Sequence, residues 1–232
     1  MPYDFKKEEE VKEFLENLGI EYRFECFHEK KPDGCHRLGD YMEAIKKDFE
    51  KAGQVYKRNC DENKHPKSCF KYGNYRWLGK GCKVNETEAY KYYRTGCDAG
   101  SPEGCFAAAL MLTSRDKKKP SVIPKDNRLG LQLLDRACQL GSADGCYFAS
   151  AHYINGNDAV VKDMKKAFVY TTRGCELGNM YACSNLSLMY RKGEGTEKNE
   201  KLAEEYKQKV IEYRDSLQKL QPTLEMEQGV KD

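Results

Sequence analysis

Ten of the eleven cysteines fall into five pairs. Cys26 and Cys35, and Cys60 and Cys69, are nine positions apart; Cys97 and Cys105, Cys138 and Cys146, and Cys175 and Cys183 are eight apart. In a chain of 232 residues such usage points either to metal binding or to pairing in an oxidising compartment. No C-x-x-C occurs, which argues against zinc ribbons and thioredoxin-like motifs, where one tight turn carries two thiolates. No metal site is assigned. Cys82 is left over, in a glycine loop between Lys80 and Lys83, where nearby positive charge would favour the thiolate. With no histidine or resolving cysteine beside it in sequence, the preferred reading is a free thiol without a role. The histidines are His28, His36, His65 and His152. A haem would need one of them opposite another histidine or a methionine such as Met111, and the C-x-x-C-H attachment motif is missing. His28 and His36, beside the first cysteine pair, and His65, beside the second, read as partly exposed turn residues. Nothing resembles a Ser-His-Asp arrangement or a phosphate-cradling glycine loop, so no catalytic residue is assigned and a binding protein is the default.

The elements that position these cysteines follow from their recurrence. The first members of successive pairs lie 34, 37, 41 and 37 residues apart, a period of the tetratricopeptide class of helical hairpins. Three positions after the first cysteine stand Gly100, Gly141 and Gly178, suited to a left-handed helix end; Asn63 takes that slot in the second pair. Eight positions before it stand Ala52, Ala89, Gly130 and Ala167, each followed three residues later by Val55, Tyr92, Leu133 or Tyr170. Small residues let helices approach and larger ones fill the space beside them. After the second cysteine, Cys35-Leu38-Met42, Cys105-Ala108-Leu112, Cys146-Ala149-Tyr153 and Cys183-Leu186-Tyr190 each form one apolar helix face, with Arg76 breaking the pattern after Cys69 and Tyr72. Each pair thus joins the end of one helix to the start of the next across a short turn, within disulfide reach. Reduced cysteines acting as small hydrophobes are the competing reading. The fivefold recurrence favours disulfides, each contributing about 2–3 kcal/mol on the chain-entropy model.

The expected fold is therefore all-α, an α-solenoid of about five disulfide-stapled hairpins, forming one domain over residues 1–220. An opening helix is expected at about 4–19, with Asp4 as its cap, and a closing helix at about 198–220 carries the stripe Leu202, Tyr206, Val210, Tyr213 and Leu217. Residues 221–232 read as a disordered tail, and Lys117 to Pro124 as a solvated basic loop. Forty Lys and Arg against 37 Asp and Glu give a net charge of +3, too little to argue for nucleic acid or an anionic membrane. With a mean hydropathy of −0.86, no run approaches the roughly 18 apolar residues of a bilayer span. The acidic first ten residues lack a secretory signal's apolar core and do not suit a matrix presequence.

The small residues at helix contacts, the loops Gly79-Lys80-Gly81 and Gly193-Glu194-Gly195, and the alanine-rich helices resemble the Sel-1-like repeat family over nearly the whole chain. The run from Val11 to Asn17, followed by Cys26 to Cys35, is similar to that family's mitochondrial branch of cytochrome c oxidase assembly factors. The resemblance implies a soluble protein of the mitochondrial intermembrane space, imported by oxidative folding and needed to build respiratory complex IV. It implies protein partners, either complex IV assembly intermediates or copper-delivery factors. It also implies an alternative role as a haem-binding thiol-disulfide reductase acting on copper-delivery partners, with no motif to place the haem.

Overall fold

A computed structural model describes residues 3–113 and 121–227, with side chains through residue 219, and every regular element in it is helical. The chain divides into two compact units, 1–126 and 127–232, where the sequence reads as a single repeat domain. The first unit holds α1 (Glu8–Arg23), a π-helical turn (Phe24–His28), α2 (Pro32–Ala44), α3 (Phe49–Asn63), α4 (Pro66–Leu78), α5 (Glu86–Asp98) and α6 (Pro102–Thr113). The second holds α7 (Asn127–Gln139), α8 (Ala143–Asn155), α9 (Met164–Glu176), α10 (Met180–Lys192) and α11 (Glu200–Glu227). Within each unit every helix packs on its sequence neighbour.

Local chemistry sets the helix boundaries. Asp48, Asn85, Ser142, Asp163 and Asn179 each cap a helix by accepting a backbone N–H two or three residues into the first turn. The turns at Gly100, Gly141 and Gly178 are the same turn repeated. Each glycine has a φ of +96° or +97°, and the next residue's N–H reaches back to the carbonyl of Gly96, Ala137 or Gly174 at 2.8–2.9 Å. The nine-residue pairs differ. Asn63 stays helical and donates to Asn59, and Lys64 takes the left-handed conformation at φ +51°, as Lys30 does four residues after Cys26 in the first pair. The extra residue lengthens the turn by one position and moves the left-handed site with it.

Small residues stand immediately before each second cysteine: Gly34, Ser68, Gly104, Gly145 and Ala182. A Cβ added at Gly104 would lie 2.9 Å from the Tyr93 carbonyl oxygen and 3.0 Å from the Cys97 nitrogen. Absent side chains here bring paired Cα atoms to 4.4–4.8 Å. A second kind of close approach sets neighbouring hairpins. The Tyr56 ring lies where a Cβ of Gly39 would be, and the Tyr93 ring does the same over Gly73. Ala52, Ala89 and Ala167 are fully buried, as the contact pattern requires. Arg76, the interruption in the apolar face of α4, pairs instead with Glu88 of α5 at 2.6 Å.

The ends differ from expectation. The opening helix starts at Glu8 rather than near residue 4, because Asp4 accepts from the Lys6 N–H within a preceding turn and Lys7 makes no side-chain cap. The last helix continues through Pro222 to Glu227, beyond the expected stop near 220. Of the basic loop, residues 117–120 lie outside the described residues; Ser121 and Val122 donate to the Glu86 carboxylate at 2.9 and 3.1 Å.

Each repeat stabilises mainly through its neighbours and its crosslink. Reduction is therefore expected to lower the melting temperature substantially while leaving helical circular dichroism at low temperature. Thermal melts with and without reductant check this, and coincident melts would show the bonds to be energetically idle.

Candidate functional site

The five cysteine pairs are disulfide-bonded and line the hairpin turns. Eight of these ten cysteines are at most 5% exposed; Cys26 and Cys35, at 6% and 8%, are the most open. Cys82 is the free cysteine, half-buried in the loop after α4. Its Sγ lies 3.4 Å from the Tyr75 carbonyl oxygen, a contact in which the thiol donates. Of the two flanking lysines, Lys83 is exposed and Lys80 is committed elsewhere: its Nζ donates to Glu43 at 2.5 Å and lies over the Phe49 and Tyr75 rings.

Glu43 is the centre of a charged cluster on α2. It accepts from Lys71 at 2.8 Å and from Lys80, and the Tyr56 hydroxyl donates to it at 3.1 Å and to Asp40 at 2.6 Å. Burial alone would push the Glu43 carboxyl up, but the Lys71 and Lys80 ammonium groups outweigh it and hold its pKa at about 2. The Tyr56 phenol is pushed well above its ordinary value, first by burial and then by the Asp40 carboxylate.

Between α2 and α4 lies a polar network that sequence spacing did not reveal. His65 caps α4: its Nδ1 accepts from the Ser68 N–H at 3.2 Å, which leaves Nε2 to donate to Asp33 at 3.0 Å. Asn59 donates to Ser68 Oγ at 2.8 Å and to the Pro32 carbonyl, so Ser68 Oγ can donate to His36 Nδ1 at 3.1 Å. His36 Nε2 then faces Asp40 at 3.5 Å. The two imidazoles stack with centroids 5.0 Å apart. Burial lowers the His36 pKa from 6.5; Asp40 opposes this, while His65, Lys71 and Lys67 add to it. His36 is thus biased toward its neutral form, and the two stacked rings bridge the first two staples. The available signal was the 32-residue separation of Asp33 from His65 and of His36 from Ser68, close to one repeat.

This network bears on haem. All four ring nitrogens of His36 and His65 are engaged, His28 is exposed and stacks on Phe24, and His152 Nδ1 contacts Asn157 at 2.5 Å. Met111 is buried in α6. Among the described residues, these histidines and Met111 are not brought together around a space that fits a haem. Among the described residues no cluster of His, Cys, Asp and Glu could hold a metal ion, and no helix is long and apolar enough to cross a membrane.

Stapled helical hairpins at a period near 37 residues, with glycine turns and caps, define a helical repeat protein of the tetratricopeptide kind. The Sel1 repeat pattern matches residues 32–54, 66–101, 117–142, 143–179 and 181–209. The chain belongs to the Sel1 repeat family and, within it, to that of cytochrome c oxidase assembly factor 7. It is 45% identical to the cytochrome c oxidase assembly factor 7 homolog of Drosophila melanogaster, over 99% of this chain and 98% of that one. It is 38% identical to the assembly factor 7A of Xenopus laevis, over 89% and 90% of the two chains. Among solved structures, a Sel1 repeat protein from Oxalobacter formigenes superposes with a TM-score of 0.68 at 23% identity, covering 87% of this chain and 82% of that one, and so shares the fold.

Two outcomes follow. A histidine whose pKa is lower folded than unfolded takes up its proton more readily in the unfolded chain. Its stabilising contribution is complete above pH 6.5 and is lost as pH falls below that value. The melting temperature is expected to fall between about pH 7 and about pH 5, and His36→Gln should remove much of that slope. A melting temperature that rises on acidification would contradict a neutral His36 ring. Separately, alkylation of the denatured, unreduced protein is expected to modify Cys82 alone, as read by mass spectrometry of its peptides.

Proposed function

We propose that this chain is an assembly scaffold for mitochondrial respiratory complexes, chiefly cytochrome c oxidase, and that it works in the intermembrane space. The observation that carries this reading is 45% identity along 99% of the chain to a relative named as a cytochrome c oxidase assembly factor. Three features support it. Disulfides persist in oxidising compartments and are rare where glutathione keeps thiols reduced. Stacked repeats offer extended surfaces suited to protein partners. The described residues hold no constellation of nucleophile, base and oriented acid that would argue for an enzyme.

The competing reading, a thiol-disulfide reductase acting on copper-delivery partners, has the free Cys82 in its favour. Exchange proceeds through a mixed disulfide on an accessible thiolate. Cys82 is half-buried and its Sγ is turned toward the Tyr75 carbonyl, an arrangement better suited to a structural thiol.

Deleting the protein is expected to reduce mature complex IV before any general loss of mitochondria, and Cys82→Ser is expected to restore it. Native gels of solubilised mitochondria check both. Unchanged complex IV on deletion would defeat the scaffold reading. Failure of a stably folded Cys82→Ser protein would favour exchange through that thiol.

A further inference from the structure

On the first unit a groove runs between the π-helical turn Phe24–His28 and helix α3. It consists of two adjoining cavities, of about 360 and 540 Å3, that share Phe27, Gln54 and Val55. Its floor is apolar: the Cys26–Cys35 disulfide, Leu38, Met42 and Val55. Phe27 stands at the lip with 52% of its surface exposed, a large aromatic side chain that the fold leaves half uncovered. The groove has a backbone cause. The π turn, in which the Glu29 N–H reaches back five residues to the Phe24 carbonyl at 3.1 Å, ends α1 with extra width where it faces α3.

The rim is one-sided in charge. Arg23, Lys30, Lys46, Lys51 and Arg58 stand against two carboxylates, Asp48 and Glu62. Both carboxylates are already used: Asp48 caps α3 and pairs with Lys51, and Glu62 pairs with Arg58, which also lies over the Phe27 ring. Arg23 and Lys30 have no ion-pair partner among the described residues, and Arg23 lies close enough to Lys51 for the like charges to oppose each other. The whole chain carries a net charge of only +3, so this surplus is local rather than general.

We propose that the groove docks a short acidic segment of a partner protein, seating a bulky apolar side chain against Phe27 and Val55 while carboxylates meet the rim cations. The proposal rests on the scaffold reading and names its partner's chemistry. The apolar floor would supply the affinity, since buried aromatic and aliphatic anchors dominate interface energetics, and the rim would supply orientation and rate. The recessed floor suits a side chain entering a cleft better than it suits a flat lipid surface.

The test uses the full oxidised chain and two labelled synthetic peptides with identical phenylalanine and leucine anchors, one flanked by glutamates and the other by lysines. In fluorescence anisotropy the acidic peptide is expected to bind at least about tenfold more tightly, with the gap narrowing as salt is added. Phe27→Ala is expected to weaken it several-fold, and the double variant Arg23→Glu, Lys46→Glu to remove the preference; all these residues are exposed, and circular dichroism verifies the fold. Lys162→Glu, in the second unit, should change nothing. Equal binding of the two peptides, indifference to the groove variants, dimerisation through this face in sedimentation, or capture of anionic vesicles in place of the peptide would each overturn the proposal. Because binding is read on purified protein, its failure is distinct from a failure of the scaffold reading, which the deletion tests.

Discussion

The close approach of two helix ends at each cysteine pair is the constraint on which the fold depends. Two backbones can come within 4.4–4.8 Å at the crosslinked Cα atoms only if the residue beside the second cysteine carries little or no side chain, and Gly34, Ser68, Gly104, Gly145 and Ala182 meet that condition. The turn must also reverse within a few residues, which the glycines at φ near +97° allow. The disulfide then ties what the glycines permit. A repeat whose faces are rich in alanine and tyrosine, rather than leucine, buries modest apolar area per hairpin, and covalent closure offsets part of the chain entropy that burial does not.

Tyrosine carries much of the packing between hairpins. Laid over Gly39 and Gly73, the Tyr56 and Tyr93 rings bring apolar area close to a neighbouring backbone, and their hydroxyls reach polar partners in Asp40 and Asn74. The Tyr92 and Tyr170 hydroxyls likewise donate to Asp61 and Asp135. This helps a chain of mean hydropathy −0.86 form a core: Tyr56, Tyr92, Tyr93 and Tyr170 pack their rings while their hydroxyls stay hydrogen-bonded. Glu43 joins that system to charge, since both lysines it holds come from α4 or the loop that follows it.

The same economy accounts for where a surface is left open. In the first unit the chain passes from α1 to α2 through a π turn that leaves Phe27 half exposed and Cys26 and Cys35 the least covered of the crosslinked cysteines. A structural element and a binding surface therefore share residues there, and the cations around them have few local carboxylates to answer.

Periodicity alone determined the hairpins, the pairing of helices and the register of small and large residues, because a repeat writes each contact into the sequence several times at one spacing. The helical turns after Cys97, Cys138 and Cys175 were legible for that reason. Tertiary structure decided what occurs once. The left-handed residue within the second pair is Lys64 rather than Asn63, since one added residue shifts the turn. The start at Glu8 depends on how Asp4 uses its carboxylate locally. The stacked imidazoles of His36 and His65 and the groove beside Phe27 bring together residues from different helices. No local pattern encodes such a meeting; it exists only once the helices have packed.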